Sequence, residues 1–386
     1  MSAQACGQLR PEIAGKLMKS RASQGSQVQP QTDVEIAKRL LRHLATAFAY
    51  PDAMYSVGPI RIQGGFDTTI FGFTLDHAAP HLSGPLILRL AHADTDPERV
   101  RLEAVVQNTL ADMGFPAPRV KVVESDPGIL GGPFMVMARL PGETLAHGIE
   151  GLGANRSFAG RLQLLVKLPA IFRRITKHWV DIQIRLHELP PDRLLQAVSA
   201  AGINARAITF EGQLAKLSTI VERPELIGLR PAAAWLEDRR PPEPRTMAIC
   251  HGDFHPLNIL VDGDQTTGVI DWVNIVIAEP AMDVGSAIAN IAAVPLDLPR
   301  ALRIPASAVI RKALQGYEHV YGARRPLDAH AVRYYMVFRA FAQLVWVAQA
   351  RTAGRANRGA FYSSEGIGNL ITLIRKLSGL SLRLDQ

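Results

Sequence analysis

Cysteine is scarce in this chain of 386 residues: Cys6 and Cys250 are the only two. Two cannot build a disulfide framework, and no Cys/His spacing suits zinc, so a reducing, cytoplasmic compartment is the expected setting. Long apolar runs are missing too. The strongest stretch, Tyr334 to Ala350, carries Arg339 in its middle, and no membrane span is expected. The first thirty or so residues show neither an apolar core nor a cleavage pattern, so no secretory leader is expected. Whole chemistries also lack their signatures. There is no G-x-x-x-x-G-K-[ST] loop, no G-x-G-x-x-G after a strand, no H-E-x-x-H and no G-x-S-x-G, which removes P-loop ATPase, dehydrogenase, zincin and hydrolase readings.

What is present suits a folded chain of two domains or one large bilobal unit. Hydrophobic residues make up 47% and charged residues 20%, enough to bury a full core. The net charge of +8 is unevenly spread. Residues 1–32 carry +3, and residues 284–386 hold fourteen basic against five acidic side chains, or +9, which leaves −4 for residues 33–283. A basic carboxyl-terminal region is compatible with nucleic acid, but a solvated helical surface accounts for it equally, and no nucleic-acid partner is expected.

Residues 1–32 read as a loose tail, since Ser20 to Gln31 is rich in Ser, Gln and Gly. Thr32 and Asp33 then cap an amphipathic stretch in which Val34, Ala37, Leu40, Leu41, Leu44 and Phe48 recur at helical spacing. Strands are expected at Pro59–Gln63, Thr69–Leu75, Leu86–Ala91, Arg119–Glu124 and Phe134–Arg139, with one helix from Asp96 to Met113 inserted before the fourth. Beyond Pro141-Gly142 the pattern turns helical: Phe158 to Leu189, then stretches near 211–221, 231–238, 305–321, 328–351 and 366–378. Short buried strands are expected at Met247–Ile249, Ile259–Val261 and Gly268–Ile270. The expected architecture is α+β: a flexible tail (1–32), a small lobe of a helix and five strands (33–140), and a mostly helical lobe (141–386).

The most informative segment reads His251-Gly-Asp253-Phe-His-Pro-Leu-Asn258, followed by Val269-Ile270-Asp271-Trp272. Kinase catalytic loops read H-R-D, then four residues, then Asn, with a later Asp for magnesium. Asp253 and Asn258 keep that spacing, and Asp271 ends an apolar run. A loop between short strands can aim one carboxylate at an acceptor hydroxyl and bring an amide oxygen and a second carboxylate to a metal. Phosphoryl transfer needs mainly positioning and charge neutralisation, so these few groups suffice.

This segment resembles the signature of the aminoglycoside phosphotransferase and choline kinase family, a branch of the protein-kinase-like fold, over most of residues 55–290. The resemblance implies a bilobal kinase-like fold with a five-stranded lobe, and transfer of the γ-phosphoryl of ATP, or GTP, to a small-molecule hydroxyl with Mg2+. It implies Asp253 as base, His251 in the same catalytic loop, and Asn258 and Asp271 as metal ligands. Arg89 stands where most kinases have Lys, as in choline-kinase-like relatives, with Glu103 as its ion-pair partner. Gly64, Gly65 and Thr68 would cover the phosphates. The segment from Phe134 to Gly142 resembles the last strand and hinge, with Met137, Ala138 and Leu140 against the adenine. Asp283 resembles the Asp that braces the catalytic loop, although Glu279 replaces an Asp earlier in that motif, and His187 reads as structural.

The acceptor is much less legible. A polycationic aminoglycoside requires clustered carboxylates, and the +9 balance of residues 284–386 speaks against one. The aromatic-rich stretch Tyr334 to Trp346 would either wall a pocket for a neutral hydroxyl compound or pack in the core. Two further readings are an antibiotic-modifying kinase for aminoglycosides or macrolides, and a nucleotide-binding pseudokinase without turnover. Against the latter stands the presence of every expected catalytic residue.

Overall fold

The computed structural model describes residues 32–62, 68–147, 158–242, 246–296, 300–352, 354 and 360–384; the expected tail 1–31 lies outside them. The small lobe opens with α1 (Asp33–Ala47), whose first turn is closed by Thr32 Oγ1 accepting the Glu35 N–H at 3.3 Å. Strands β1 (Met54–Ile62), β2 (Thr68–Asp76) and β3 (Pro85–Ala91), helix α2 (Pro97–Asp112), strand β4 (Val120–Glu124), the single-turn α3 (Pro127–Leu130) and strand β5 (Phe134–Ala138) follow. The five strands form one antiparallel sheet in the order β1-β2-β3-β5-β4.

The two-residue period of the strands decides what each face carries. Leu86, Leu88 and Leu90 of β3, with Phe134 and Val136 of β5, turn to one side and pack with Ile36, Leu40 and Leu44 of α1. Each such burial is worth about 2 kcal/mol. Met135 and Met137 turn to the other side with Val100 and Ala104 of α2, and Ile87 packs there too. Arg89, opposite Met135 in the β3–β5 register, shares that second face. The capped start of α2, where Asp96 accepts the Glu98 N–H at 2.9 Å, then sets Glu103 facing the sheet.

The larger lobe contains β6 (Glu143–Thr144), α4 (Phe158–His187), α5 (Pro191–Ala200), α6 (Phe210–Ile220), α7 (Arg230–Asp238), β7 (Ala248–Cys250), β8 (Ile259–Asp262), β9 (Gln265–Val269), β10 (Val276–Ala278), α8 (Ala281–Ala293), α9 (Arg300–Arg324), α10 (Ala329–Thr352) and α11 (Ser364–Ser378). Two small sheets, β6-β8-β9 and β7-β10, hold the loops of interest. Helices α8 and α10 touch closely because Gly285 has no side chain: a Cβ there would lie 2.6 Å from the Val332 carbonyl oxygen.

Most expected elements are found with ends moved by a few residues. β1 starts five residues earlier than expected, as an edge strand with Met54, Val57 and Ile60 exposed. α9 begins at Arg300 and runs through Pro305 rather than starting there. Helices α5 and α8 and strands β6 and β10 were not anticipated. α8 is buried on nearly every side, so it carries no amphipathic period.

Candidate functional site

The loop after β7 is fixed by its backbone before any side chain acts. Gly252 sits at φ +77°, and a Cβ there would lie 2.0 Å from the Asn274 carbonyl oxygen. Buried Asp283, in the first turn of α8, accepts the His251 N–H at 2.9 Å and the Gly252 N–H at 2.6 Å. His187, ending α4, reaches the same carboxylate at 3.0 Å through Nε2, while its Nδ1 meets the Tyr321 hydroxyl at 2.6 Å. Asp283, His187 and Cys250 place possible ligand atoms within 4.8 Å of one another. These atoms already serve each other and the loop, with the Cys250 thiol directed at the Ala278 and Glu279 carbonyls, so the group is a hydrogen-bonded brace. Burial pushes the Cys250 thiol well up, which keeps it protonated.

His251 is fully buried, and its ring is used up on backbone. Nε2 lies 3.0 Å from the Ile270 carbonyl and Nδ1 accepts the Asp253 N–H at 3.3 Å. A carbonyl only accepts and an N–H only donates, so the proton is on Nε2. Burial lowers the ring's pKa, against the pull of Asp283 and Asp253. His251, grouped with the catalytic residues on sequence, thus orders the loop through two backbone contacts.

Asp253, Asn258 and Asp271 converge. Asn258 Nδ2 donates to the Asp253 carbonyl at 3.0 Å, and the Ile270 N–H donates to the Asn258 carbonyl at 2.9 Å, placing Asp271 beside it. Asp271 adopts φ 68° and ψ 64°, a left-handed conformation that costs a non-glycine residue roughly 1 kcal/mol and that Asp tolerates better than most. With Nδ2 engaged, the Asn258 amide keeps its oxygen available, and the Asp271 side chain is 42% exposed. An amide oxygen and a carboxylate are hard donors of the kind magnesium takes.

Arg89 links this loop to the small lobe. Its Nη2 meets Asp271 Oδ1 at 2.9 Å, its Nη1 pairs with Glu103, and its Nε lies 3.4 Å from Thr68 Oγ1. Burial pushes the Glu103 carboxyl up despite Arg89, while Glu103 and Asp271 outweigh burial in holding the Arg89 guanidinium above its ordinary value. The structure therefore brings together Arg89, Glu103, Thr68 and Asp271. Gly64 and Gly65 lie outside the described residues.

At the crossing between the lobes, Met137 is buried on the Arg89 face of the sheet. The Ala138 N–H donates to the Arg119 carbonyl at 2.9 Å and the Arg139 N–H to Pro85 at 2.9 Å. Neither is free for a ligand edge. Among the described residues the Leu140 N–H has no acceptor.

Sequence reasoning missed three neighbours of Asp253. Its Oδ1 accepts from Asn290 Nδ2 at 2.5 Å, lies 3.2 Å from Arg339 Nη2 and 3.5 Å from His255 Nε2. Burial would raise this carboxyl, but Arg339, His255, His251 and the Asn290 amide hold it below the usual carboxylate range. The one signal for Arg339 was a charge inside an apolar run. The aromatics around it divide: Tyr334, Phe338 and Phe341 are core, while half-buried Trp346 lies under the guanidinium, 5.2 Å from Cζ to ring centroid.

A family model described as a phosphotransferase enzyme family matches residues 60–329. No curated protein sequence matches significantly. Among solved structures, macrolide 2'-phosphotransferase type I is 16% identical with a TM-score of 0.51, over 90% of this chain and 99% of its own. A thermostable mutant of aminoglycoside phosphotransferase APH(4)-Ia, in ternary complex with AMP-PNP and hygromycin B, is 15% identical with a TM-score of 0.51, over 89% of this chain and 100% of its own. At such identities the likeness is one of fold: an antiparallel five-stranded lobe on a mostly helical one. Among the described residues, no helix is long and apolar enough to cross a membrane.

Proposed function

The chain belongs to the phosphotransferase enzyme family, and from that premise we propose that it transfers the γ-phosphoryl group of ATP to a hydroxyl of a small molecule. The observation that carries this reading is the unbroken set of ion pairs from Glu103 through Arg89 to Asp271. It ties the sheet lobe to Asp271, which the Ile270 N–H to Asn258 carbonyl bond joins to the loop that presents Asp253, so a nucleotide gripped by Arg89 would meet the base in fixed geometry. In this reading residues 33–140 cover the nucleotide and residues 141–386 hold the catalytic loop and the acceptor. Gly64, Gly65 and Thr68 approach the phosphates, and Met137 and the Leu140 backbone border the adenine. AMP-PNP in the APH(4)-Ia complex supports an adenine nucleotide.

Asn258 and Asp271 would hold a magnesium ion, which when bound neutralises charge on the phosphate oxygens. Asp253, kept ionised by its neighbours, orients the acceptor hydroxyl and takes its proton. As the hydroxyl oxygen bonds to the γ-phosphorus, the bond from that phosphorus to the bridging oxygen breaks, and its electron pair leaves on ADP. Arg89 holds the phosphates in line, with Glu103 fixing its guanidinium.

The acceptor in this reading is neutral or anionic near its reactive hydroxyl. A guanidinium stands 3.2 Å from the base's carboxylate, where an aminoglycoside would bring ammonium groups, and like charges at close range are costly. The test is a coupled nucleotide-consumption screen with ATP and GTP against sugars, amino-alcohols, choline, macrolides and aminoglycosides. Turnover of at least one acceptor is expected, and Asp253→Ala should lower it by about 10²–10⁴-fold while ATP still raises the melting temperature. Undiminished turnover in that variant would remove Asp253 as base; no consumption with any acceptor would remove the reading itself.

A further inference from the structure

Asp253 is held by one of its two oxygens. Oδ1 takes the Asn290 amide at 2.5 Å and faces Arg339 Nη2 at 3.2 Å and His255 Nε2 at 3.5 Å, while Oδ2 has no hydrogen bond among the described residues. The three side chains close a ring, because Arg339 Nε also donates to Asn290 Oδ1 at 3.0 Å. That bond settles the amide: with Oδ1 accepting from the guanidinium, Nδ2 must face the carboxylate, and the flipped amide would set two donors against each other. The ring joins three separate elements, the loop after β7, α8 and α10. Arg339 is 5% exposed, and a charge so buried is stable only when its partner is in place. The carboxylate and the guanidinium therefore fix each other's orientation. Arg339 also lies beyond residue 329, where the family match ends.

We propose that Arg339 and Asn290 are positioning residues that clamp Oδ1 of Asp253, so that Oδ2 is the oxygen presented to the acceptor hydroxyl and the one that receives its proton. This rests on the phosphotransfer reading above. A free carboxylate turns broadly about its last torsion. Pinning one oxygen with an amide and a guanidinium leaves the other aimed in a single direction, which lowers the entropy lost on reaching the reactive arrangement. Neither residue touches the nucleotide side of the site, where Arg89 and Asp271 stand. Loss of the clamp should therefore appear in turnover and leave nucleotide affinity unchanged.

The experiment uses the full-length protein with Mg-ATP, measuring transfer to the best acceptor of the screen and hydrolysis with water as acceptor, and AMP-PNP binding by titration. Arg339→Ala, Arg339→Lys and Asn290→Ala are compared with wild type. The expected result is a loss of kcat of about 10²-fold in Arg339→Ala, less in Arg339→Lys and Asn290→Ala, with KM for ATP and AMP-PNP affinity changed less than about threefold. Millimolar guanidinium should restore part of the turnover of Arg339→Ala but none in Asn290→Ala or Asp253→Ala. Asn290→Ala removes a neutral group and keeps the test alive if Arg339→Ala does not fold. Wild-type turnover in both alanine variants overturns the clamp. So does a loss of turnover matched by a loss of AMP-PNP affinity and unmoved by guanidinium, which marks a merely structural role. An inactive wild type, by contrast, overturns the phosphotransfer reading and the clamp with it.

Discussion

Gly252 shows how tightly single residues are specified at this site. Its φ of +77° is costly for any L side chain, and a Cβ would press within 2.0 Å of the Asn274 backbone oxygen, an atom that cannot swing aside as a side-chain end would. Gly252→Ala should destabilise the protein by about 2 kcal/mol or more and displace the two N–H groups that Asp283 binds. Urea unfolding checks the first effect and turnover the second; a variant with the wild-type midpoint would show that the loop relaxes freely. Legibility at this scale follows spacing. Asp253 and Asn258 could be read because one loop between short strands carries them at a set interval, and Asp271 because it ends the apolar run of the strand that follows. Arg89 and Glu103 could be named only through the family resemblance, since nothing in their spacing marks them as a pair. Asn290 and Arg339 could not, since they reach Asp253 from helices 37 and 86 positions further along, and no interval constrains them. Their only trace was negative: a charge or an amide inside an apolar segment must have a buried partner.

The same logic governs whole elements. α1 was legible because its apolar residues recur at helical spacing, and α2 because Gly114 and Pro116 close it. α8 was not, being buried all round. α5 was hidden by Pro190-Pro191, which reads as a breaker, although proline at the first helical position starts a helix well. β6 and β10, of two and three residues, are too short for any period. Two of these cryptic elements hold the loop: α8 supplies Asp283, and β10 pairs with β7 at the loop's root. The brace has a consequence for pH. Burial holds the folded-state pKa of His251 below the ordinary value of about 6.5. The unfolded chain therefore binds that proton first, and stability is full above about pH 6.5 and declines as the pH falls from there toward the folded pKa. His251→Gln, which keeps an amide donor and loses the titrating ring, should be less stable at neutral pH yet show a shallower decline in melting temperature from pH 7 to pH 5. Parallel curves for the two proteins would show that the folded and unfolded states take up the His251 proton alike, and that burial does not lower its pKa.

At the scale of the whole molecule, the charge is sorted along the chain, and one cation of its basic part stands beside Asp253. Residues 284–386 carry +9, and within them α10 places Arg339 against Asp253, the proposed base. The distribution has no bearing on the fold, but it bears on encounter. A cleft lined with one sign raises the local concentration of the opposite sign and repels its own. The range of that field is set by salt, with a screening length of about 30 Å at 0.01 M and about 8 Å at 0.15 M. Acceptor charge can therefore be read from kinetics without a bound structure. For an anionic acceptor, kcat/KM should fall as salt rises over that interval, because attraction is screened. A neutral acceptor should be nearly indifferent. An aminoglycoside, repelled at low salt, should be a poor substrate that improves as salt is added. KM for ATP, measured in parallel, separates this effect from the screening of nucleotide phosphates by Arg89. Efficient phosphorylation of kanamycin-like compounds at low salt, with kcat/KM above about 10⁴ M⁻¹s⁻¹ and falling as salt rises, would mean that carboxylates elsewhere in the larger lobe set the local field, and that the cation beside Asp253 is neutralised before the acceptor arrives.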